Sequence, residues 1–226
     1  MLIINEFADF AELSETLAQK WLELVQNAGQ TCSFALAGGT TPAPLYRRFD
    51  QLLRDSKQGR IQLIATDERW VSDADAQSNE GLFRQCFAGS FGKWSLVSLK
   101  NSQPAPSSAL AEINDRLKTS CAAPFTAVIL GMGGDGHIAS LFPNAPQLLT
   151  NEPAVNCVAA YHPQTLQARM SLSFSRLLNT NAIWLVITGA EKRAVLEQAT
   201  PASPIGAYLS AALSNEHCQV EVFWCP

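Results

Sequence analysis

The sequence predicts an α/β fold in which helices cover both faces of a mostly parallel sheet. Three observations carry this. Short apolar runs alternate with helical repeats along the chain, as in βαβ units. One run, residues 125–130, is almost wholly apolar, which suits a strand buried on both faces of a parallel sheet. Apolar residues make up 47% of the 226 and charged residues only 16%, enough to fill a sizeable core and too little charge for disorder. The length fits one domain over 1–226, with 101–106 read as a loop and not as a linker.

The elements follow in order. Phe10, Leu13, Leu17, Trp21 and Leu24 recur at helical spacing within a helix over 7–27, with Gly29 as its stop. Residues 32–37 are a strand that ends in Gly38-Gly39-Thr40-Thr41. Thr41 as cap and Pro42 at the first helical position then open a helix that turns Leu45, Phe49 and Leu52 inward. A strand over 61–66 runs into the loop Asp67-Glu68-Arg69, and a helix covers 79–87. A short strand at 95–98 leads through a Pro/Ser-rich loop to a helix over 107–121. The 125–130 strand feeds the loop 131–137. Strands over 155–159, 169–174 and 182–187, then Gly189 and a helix to 199, precede a last strand at 219–223.

Composition narrows the function classes. A net charge of −4 without a dense basic run argues against nucleic acid or an anionic membrane as partner. The amino terminus has neither the basic region nor the long apolar stretch of a signal peptide, and the longest apolar segments are strand-sized, far short of a membrane span. Cys32, Cys86, Cys121, Cys157, Cys218 and Cys225 are scattered, with no C-x-x-C pair and no His at ligand spacing. That is neither a disulfide framework nor a zinc site, so the expectation is reduced, mostly buried thiols in a cytosolic protein. His162 in a Pro-flanked loop and His217 near the end give no histidine-rich metal site.

Four loops directly follow predicted strands: 38–41, 67–69, 131–137 and 189–192. Parallel strands place all four on one edge of the sheet, where open α/β folds bind ligands. Gly38-Gly39-Thr40-Thr41 offers backbone N–H groups and hydroxyls at a helix start, either an anion site or simply a tight turn of small residues. It lacks the spacing and Lys of a nucleotide P-loop. Asp67-Glu68-Arg69 reads as two acids and a guanidinium at a strand end or as a solvated turn, and Asn79 as a site residue or a helix cap.

The run Gly131-Met-Gly-Gly-Asp-Gly-His137 matches G-x-G-x-x-G, but Pro143 and Pro146 break the helix a dinucleotide fold needs, and Asp135 would face the pyrophosphate. His137 stands out, because small neighbours leave it room for a ligand and an ordinary imidazole pKa of about 6.5 suits a general base. The alternative is a structural His beside a capping Asp135. Lys192 in the first turn of a helix opposes the macrodipole, which an anionic partner would explain, although Glu191 offsets part of it and a surface lysine needs no partner. Arg169, opening a strand with Ser171 and Ser173 on the same face, can pair with a carboxylate as readily as with a phosphate.

Taken together, these stretches resemble the 6-phosphogluconolactonases. The matches are Ala37-Gly-Gly-Thr-Thr-Pro42, Asp67-Glu-Arg69 with Ser78-Asn79, the long run from Leu130 through Gly134, Asp135 and His137 to Pro143, then Arg169 and Gly189-Ala-Glu-Lys192. They occur in family order and span nearly the whole chain. The resemblance implies a three-layer α/β/α Rossmann-like fold, related to the glucosamine-6-phosphate deaminases. It also implies a cofactor-free, cytoplasmic hydrolase that opens 6-phospho-D-glucono-1,5-lactone in the pentose phosphate pathway, working as a monomer or weak homo-oligomer.

On this reading His137 is the general base, with Asp67 and Asp135 in the catalytic group. Gly38, Gly39, Thr40, Thr41, Arg69, Asn79, Gly134, Arg169 and Lys192 then bind the sugar phosphate, and there is no metal. The chain departs from relatives at Trp224-Cys225-Pro226, where they often continue with an acidic residue and a short tail. Two rivals stand beside the lactonase: an amino-sugar phosphate deaminase and a non-catalytic sugar-phosphate sensor. Deaminases place a Glu shortly after the His, where this chain reads Leu141-Phe-Pro143 without an acid. A sensor would not need His137, and the acidic chain offers no basic recognition helix.

Overall fold

The computed structural model describes residues 2–28, 31–56, 60–145, 149–150 and 152–226. In chain order these form β1 (Ile3–Glu6), α1 (Phe10–Asn27), β2 (Cys32–Leu36), α2 (Ala43–Asp55), β3 (Ile61–Ala65), β4 (Asp67–Arg69), α3 (Asn79–Cys86), β5 (Trp94–Val97), α4 (Pro106–Ser120), β6 (Ala127–Leu130), β7 (Cys157–Tyr161), β8 (Ala168–Leu172), α5 (Phe174–Leu178), β9 (Ala182–Thr188), α6 (Ala190–Glu197), α7 (Pro204–Leu213) and β10 (Gln219–Cys225).

Seven strands make one sheet in the order β1-β10-β9-β6-β2-β3-β5, and every pair in it is parallel. Strand order advances outward from β2 to β3 and β5 on one side, and from β6 to β9 and β10 on the other. The direction therefore reverses between β2 and β6, which pair from Phe34↔Ala127 to Leu36↔Ile129. Beyond their carboxyl ends the two outgoing loops diverge, and the crevice so opened is the usual ligand site of such sheets. The central strands are buried on both faces, as the run of apolar residues in β6 and β9 requires.

Helix α1 illustrates how the layers lock. Leu13, Leu17, Trp21 and Val25 are buried along one stripe. Trp21 stacks on Phe49 of α2 with centroids 3.8 Å apart and meets Phe34 of β2 at 5.1 Å. The helix starts at Phe10 and not at residue 7, because the Asp9 carboxylate accepts the N–H groups of Ala11 (2.8 Å) and Glu12 (2.9 Å). Asp9→Ala should therefore cost about 1 kcal/mol of stability. Urea titration checks this, and an unchanged midpoint would show that the cap contributes nothing. Gly29 and Pro146 lie outside the described residues.

Several expectations need correction. Residues 67–69 are a strand, β4, and not a loop. They pair antiparallel with β8, which pairs with β7, giving a second, three-stranded sheet in the order β4-β8-β7. Thr66 hands the chain over: its N–H donates to Leu36 O in the main sheet, and its carbonyl accepts the N–H of Leu172 at the end of β8. Buried backbone groups need partners, and β8 supplies them. Ser173 caps α5 and does not continue a strand. Pro42, and not Thr41, occupies the N-cap of α2, with no side-chain cap. Ser78, and not Asn79, caps α3 by accepting the N–H of Gly81.

Three elements went unread. β1 and α5 are too short to show periodicity, and α7 is apolar over most of its surface. The carboxyl-terminal residues complete β10, where Trp224 donates its indole N–H to Gly189 O at 3.0 Å. Burial pushes the Cys121 thiol up to about 11 and that of Cys157 to about 12, so both stay protonated and pack as small apolar groups. No helix among the described residues is long and apolar enough to cross a membrane.

Candidate active site

A cavity of about 320 Å³ lies at the reversal point between β2 and β6. Each wall comes from a segment that leaves a strand. The 38–42 turn follows β2, Thr66, Asp67 and Arg69 follow β3, the 131–137 loop follows β6, and Lys192 lies on α6 after β9. Arg169 enters from β8. The volume is within the range of small-molecule sites.

His137 is held from three sides. Its ring packs on Phe142 with centroids 4.8 Å apart. Its Nδ1 lies 2.5 Å from Oδ1 of Asp135, and its own N–H donates to the same oxygen at 3.2 Å. Gly133 is a glycine because a Cβ there would overlap the imidazole. An ionised carboxylate can only accept, so Nδ1 carries a proton, and in a neutral ring Nε2 is then the nitrogen with the lone pair. Burial pushes the Asp135 carboxyl up, but hydrogen bonds from the His137 N–H and ring, with the ring's charge, outweigh it and hold the group below the usual carboxylate range. Asp135 is therefore ionised at neutral pH. The G-x-G-x-x-G match is followed by turns and an isolated bridge between Ile138 and Leu141, and the described residues 138–145 contain no helix of the kind dinucleotide binding requires.

The opposite character, an excess of cations, comes from β4, β8 and α6. Arg69 and Arg169 are direct partners across the β4–β8 pair, and like charges so placed repel. Asp67 partly relieves this, its Oδ2 lying 3.4 Å from Nη1 of Arg169. The same oxygen accepts the hydroxyl of Ser140 at 2.5 Å. Arg69 donates to the carbonyl of Gln77 at 2.7 Å, and the buried Nε of each arginine has no hydrogen-bond partner among the described residues. Burial holds Arg169 below the usual arginine range, with Asp67 opposing and Arg69 adding to the effect. Lys192 is half-buried in the first turn of α6, whose N-cap Gly189 offers no side chain, and its ammonium has no ion-pair partner among the described residues. Three cations against one carboxylate leave the cavity wall with an excess of positive charge, which favours an anion.

Of the residues singled out in the sequence, His137, Asp67, Gly38, Gly39, Thr40, Thr41, Arg69, Arg169 and Lys192 line the cavity together. Asp135 stands behind His137, and Gly134 is exposed outside the wall. Asn79 is buried behind Gly38: its amide donates to the Asp67 carbonyl at 2.6 Å, and a Cβ on Gly38 would overlap it. Ser171 is buried and accepts the N–H of Ser140.

The family of glucosamine-6-phosphate isomerases and 6-phosphogluconolactonases matches residues 8–224. The chain belongs to it. The 6-phosphogluconolactonase of Caulobacter vibrioides is 36% identical over 202 residues, covering 84% of this chain and 82% of that protein. That of Pseudomonas putida is 31% identical over 236 residues, covering 99% and 93%. The crystal structure of a 6-phosphogluconolactonase from Shewanella baltica superposes with a TM-score of 0.87 at 28% identity, covering 100% of this chain and 98% of that one. A monomeric glucosamine-6-phosphate deaminase shares the fold at a TM-score of 0.77 and 18% identity, covering 99% and 97%. Within the family, fold alone therefore does not separate the two chemistries, and side chains must.

Two neighbours of the site escaped the sequence reading. Phe142 carries His137 on one side and His162 on the other, the latter ring at 5.5 Å. His162 accepts the N–H groups of Gln164 and Thr165 at its Nδ1, both at 3.3 Å. Burial, then Arg169 and His137, hold it below the usual histidine range. Nothing local distinguishes His162; only the β7–β8 hairpin brings it against Phe142, behind His137. Ser140 had a weak signal, lying inside the long 130–143 match without a role of its own.

Proposed function

We propose that this protein hydrolyses 6-phospho-D-glucono-1,5-lactone to 6-phosphogluconate, the lactone-opening step of the oxidative pentose phosphate pathway, in the cytoplasm. The observation that carries the reading is the Asp135–His137 pair, facing a cavity whose other charged groups are mainly cations. Nε2 of neutral His137 takes a proton from water as its oxygen attacks the C1 carbonyl. The tetrahedral intermediate then expels the ring oxygen, which receives the same proton from the imidazolium. Ring C1–O bond cleavage leaves a carboxylic acid that ionises at neutral pH. Asp135 favours the imidazolium between the two transfers.

Lys192, Arg69, Arg169 and the 38–41 turn hold the phosphate end. Asp67 acts on Arg169 and Ser140, with which it bonds, and so orients the anion clamp. Asn79 supports that clamp from behind. Leu141 and Phe142, buried after His137, supply no carboxylate for ring opening and isomerisation, which favours the lactonase over the deaminase.

Acid release from freshly generated 6-phosphogluconolactone, corrected for its spontaneous hydrolysis, tests the reading. Saturable, protein-dependent release is expected. Release at the buffer rate would refute it, and ammonia from glucosamine 6-phosphate would assign the deaminase reaction instead.

A further inference from the structure

β4 contributes Asp67 and Arg69 to the cavity, while Glu68 between them points the other way, as strand alternation dictates. Its carboxylate is fully buried. Oε1 accepts the N–H of Arg69 at 2.7 Å and that of Asn79 at 3.0 Å. Oε2 accepts the N–H of Glu80 at 2.7 Å and the hydroxyl of Ser78 at 3.2 Å. The one cation within 4 Å among the described residues is Lys100, at 3.6 Å. Lys100 is shared with Asp73 at 2.7 Å and with the carbonyl of Val71.

This is more than a helix cap needs. Ser78 already caps α3, so Glu68 adds a tie between the helix start and the strand that carries two cavity residues. Burial first, and then the charge of Glu68, push the neighbouring Glu80 carboxyl up. Asn79, whose N–H Glu68 holds, spends its side-chain amide on Asp67 and sits where a Cβ of Gly38 would be. Moving Glu68 would thus move the glycine turn, Asp67 and Arg69 together.

We propose that Glu68 is the positioning residue of this site. Out of reach of substrate, it sets Arg69 through that residue's own N–H, and sets Asp67 and the Gly38 turn through Asn79. The inference rests on the lactonase reading of the cavity.

Glu68→Gln keeps the shape and turns one acceptor oxygen into a donor. Whichever way the amide faces, that donor meets other donors: the N–H groups of Arg69 and Asn79, or the Glu80 N–H and the Lys100 ammonium. Assayed well below its melting temperature, the variant should show a KM raised about tenfold, with calorimetric affinity for 6-phosphogluconate weakened by the same factor, since small misplacement of binding groups is costly. Ser78→Ala, which disturbs the same helix end but leaves the bonds to Arg69 and Asn79, should lower Tm only. If both variants lower Tm and leave KM and Kd at wild-type values, the role is capping alone and the proposal fails. Should Glu68→Gln not fold, Asn79→Ala keeps its N–H to Glu68 but cuts the amide link to Asp67; a wild-type KM there overturns the proposal. Wild-type protein without lactone turnover would defeat the underlying reading instead.

Discussion

Replacing His137 by alanine is expected to lower kcat by about 10²–10⁴-fold, the usual contribution of a positioned general base. The effect should fall on kcat and not on KM, because the cations of the wall lie on other elements. The fold should survive. The ring lies on Phe142 and the cavity, with a quarter of its side chain exposed (26%), so its loss opens no closed void. Steady-state acid release from fresh lactone, with circular dichroism to confirm folding, reads both quantities. Near-normal turnover would remove His137 from the role and leave the Asp135 contact as loop architecture. The size of the expected loss follows from Asp135 as well. With Nδ1 committed to that carboxylate, Nε2 is the nitrogen left to accept a proton, and no other described residue within the wall offers an equivalent base.

Lys192→Ala should raise KM ten- to a hundred-fold with a much smaller change in kcat. A charge-assisted hydrogen bond contributes about 1.5–3 kcal/mol, and each 1.4 kcal/mol is a factor of ten. Stability should not fall. The ammonium has no ion-pair partner among the described residues and sits at the wrong end of the α6 dipole, so its removal relieves a small unfavourable interaction. A binding residue and a structural one therefore separate cleanly: KM rises while Tm stays level or increases slightly. An unchanged KM would mean that the phosphate lies elsewhere. Higher salt should narrow the difference between variant and wild type, since part of the attraction is screened.

The cation pair on β4 and β8 explains why the site is legible only in part from its residues. Arg69 and Arg169 are a hundred positions apart, and neither is surrounded by a pattern that predicts pairing. Asp-Glu-Arg has no alternation of apolar and polar residues, so it reads as a charged strand end or a solvated turn. It becomes a strand because β8 offers it backbone partners. The same holds for His162, which reaches Phe142 on a hairpin, and for Glu68, whose burial depends on the start of α3 folding over it.

What the chain determined by itself is local: the helical stripe of α1, the doubly buried β6, and the small, reactive residues at the ends of β2, β6 and β9. Each follows from periodicity or from conformational demands within a few residues, and the long run from 130 to 143 carries the family likeness on the same basis. Only the tertiary structure decided which strands became neighbours, that the order reverses between β2 and β6, and that a second sheet turns two arginines to face one another. Those outcomes depend on backbone groups finding partners far away in the chain and on side chains excluding water together. Such energies belong to pairs of segments and have no signature in either segment alone.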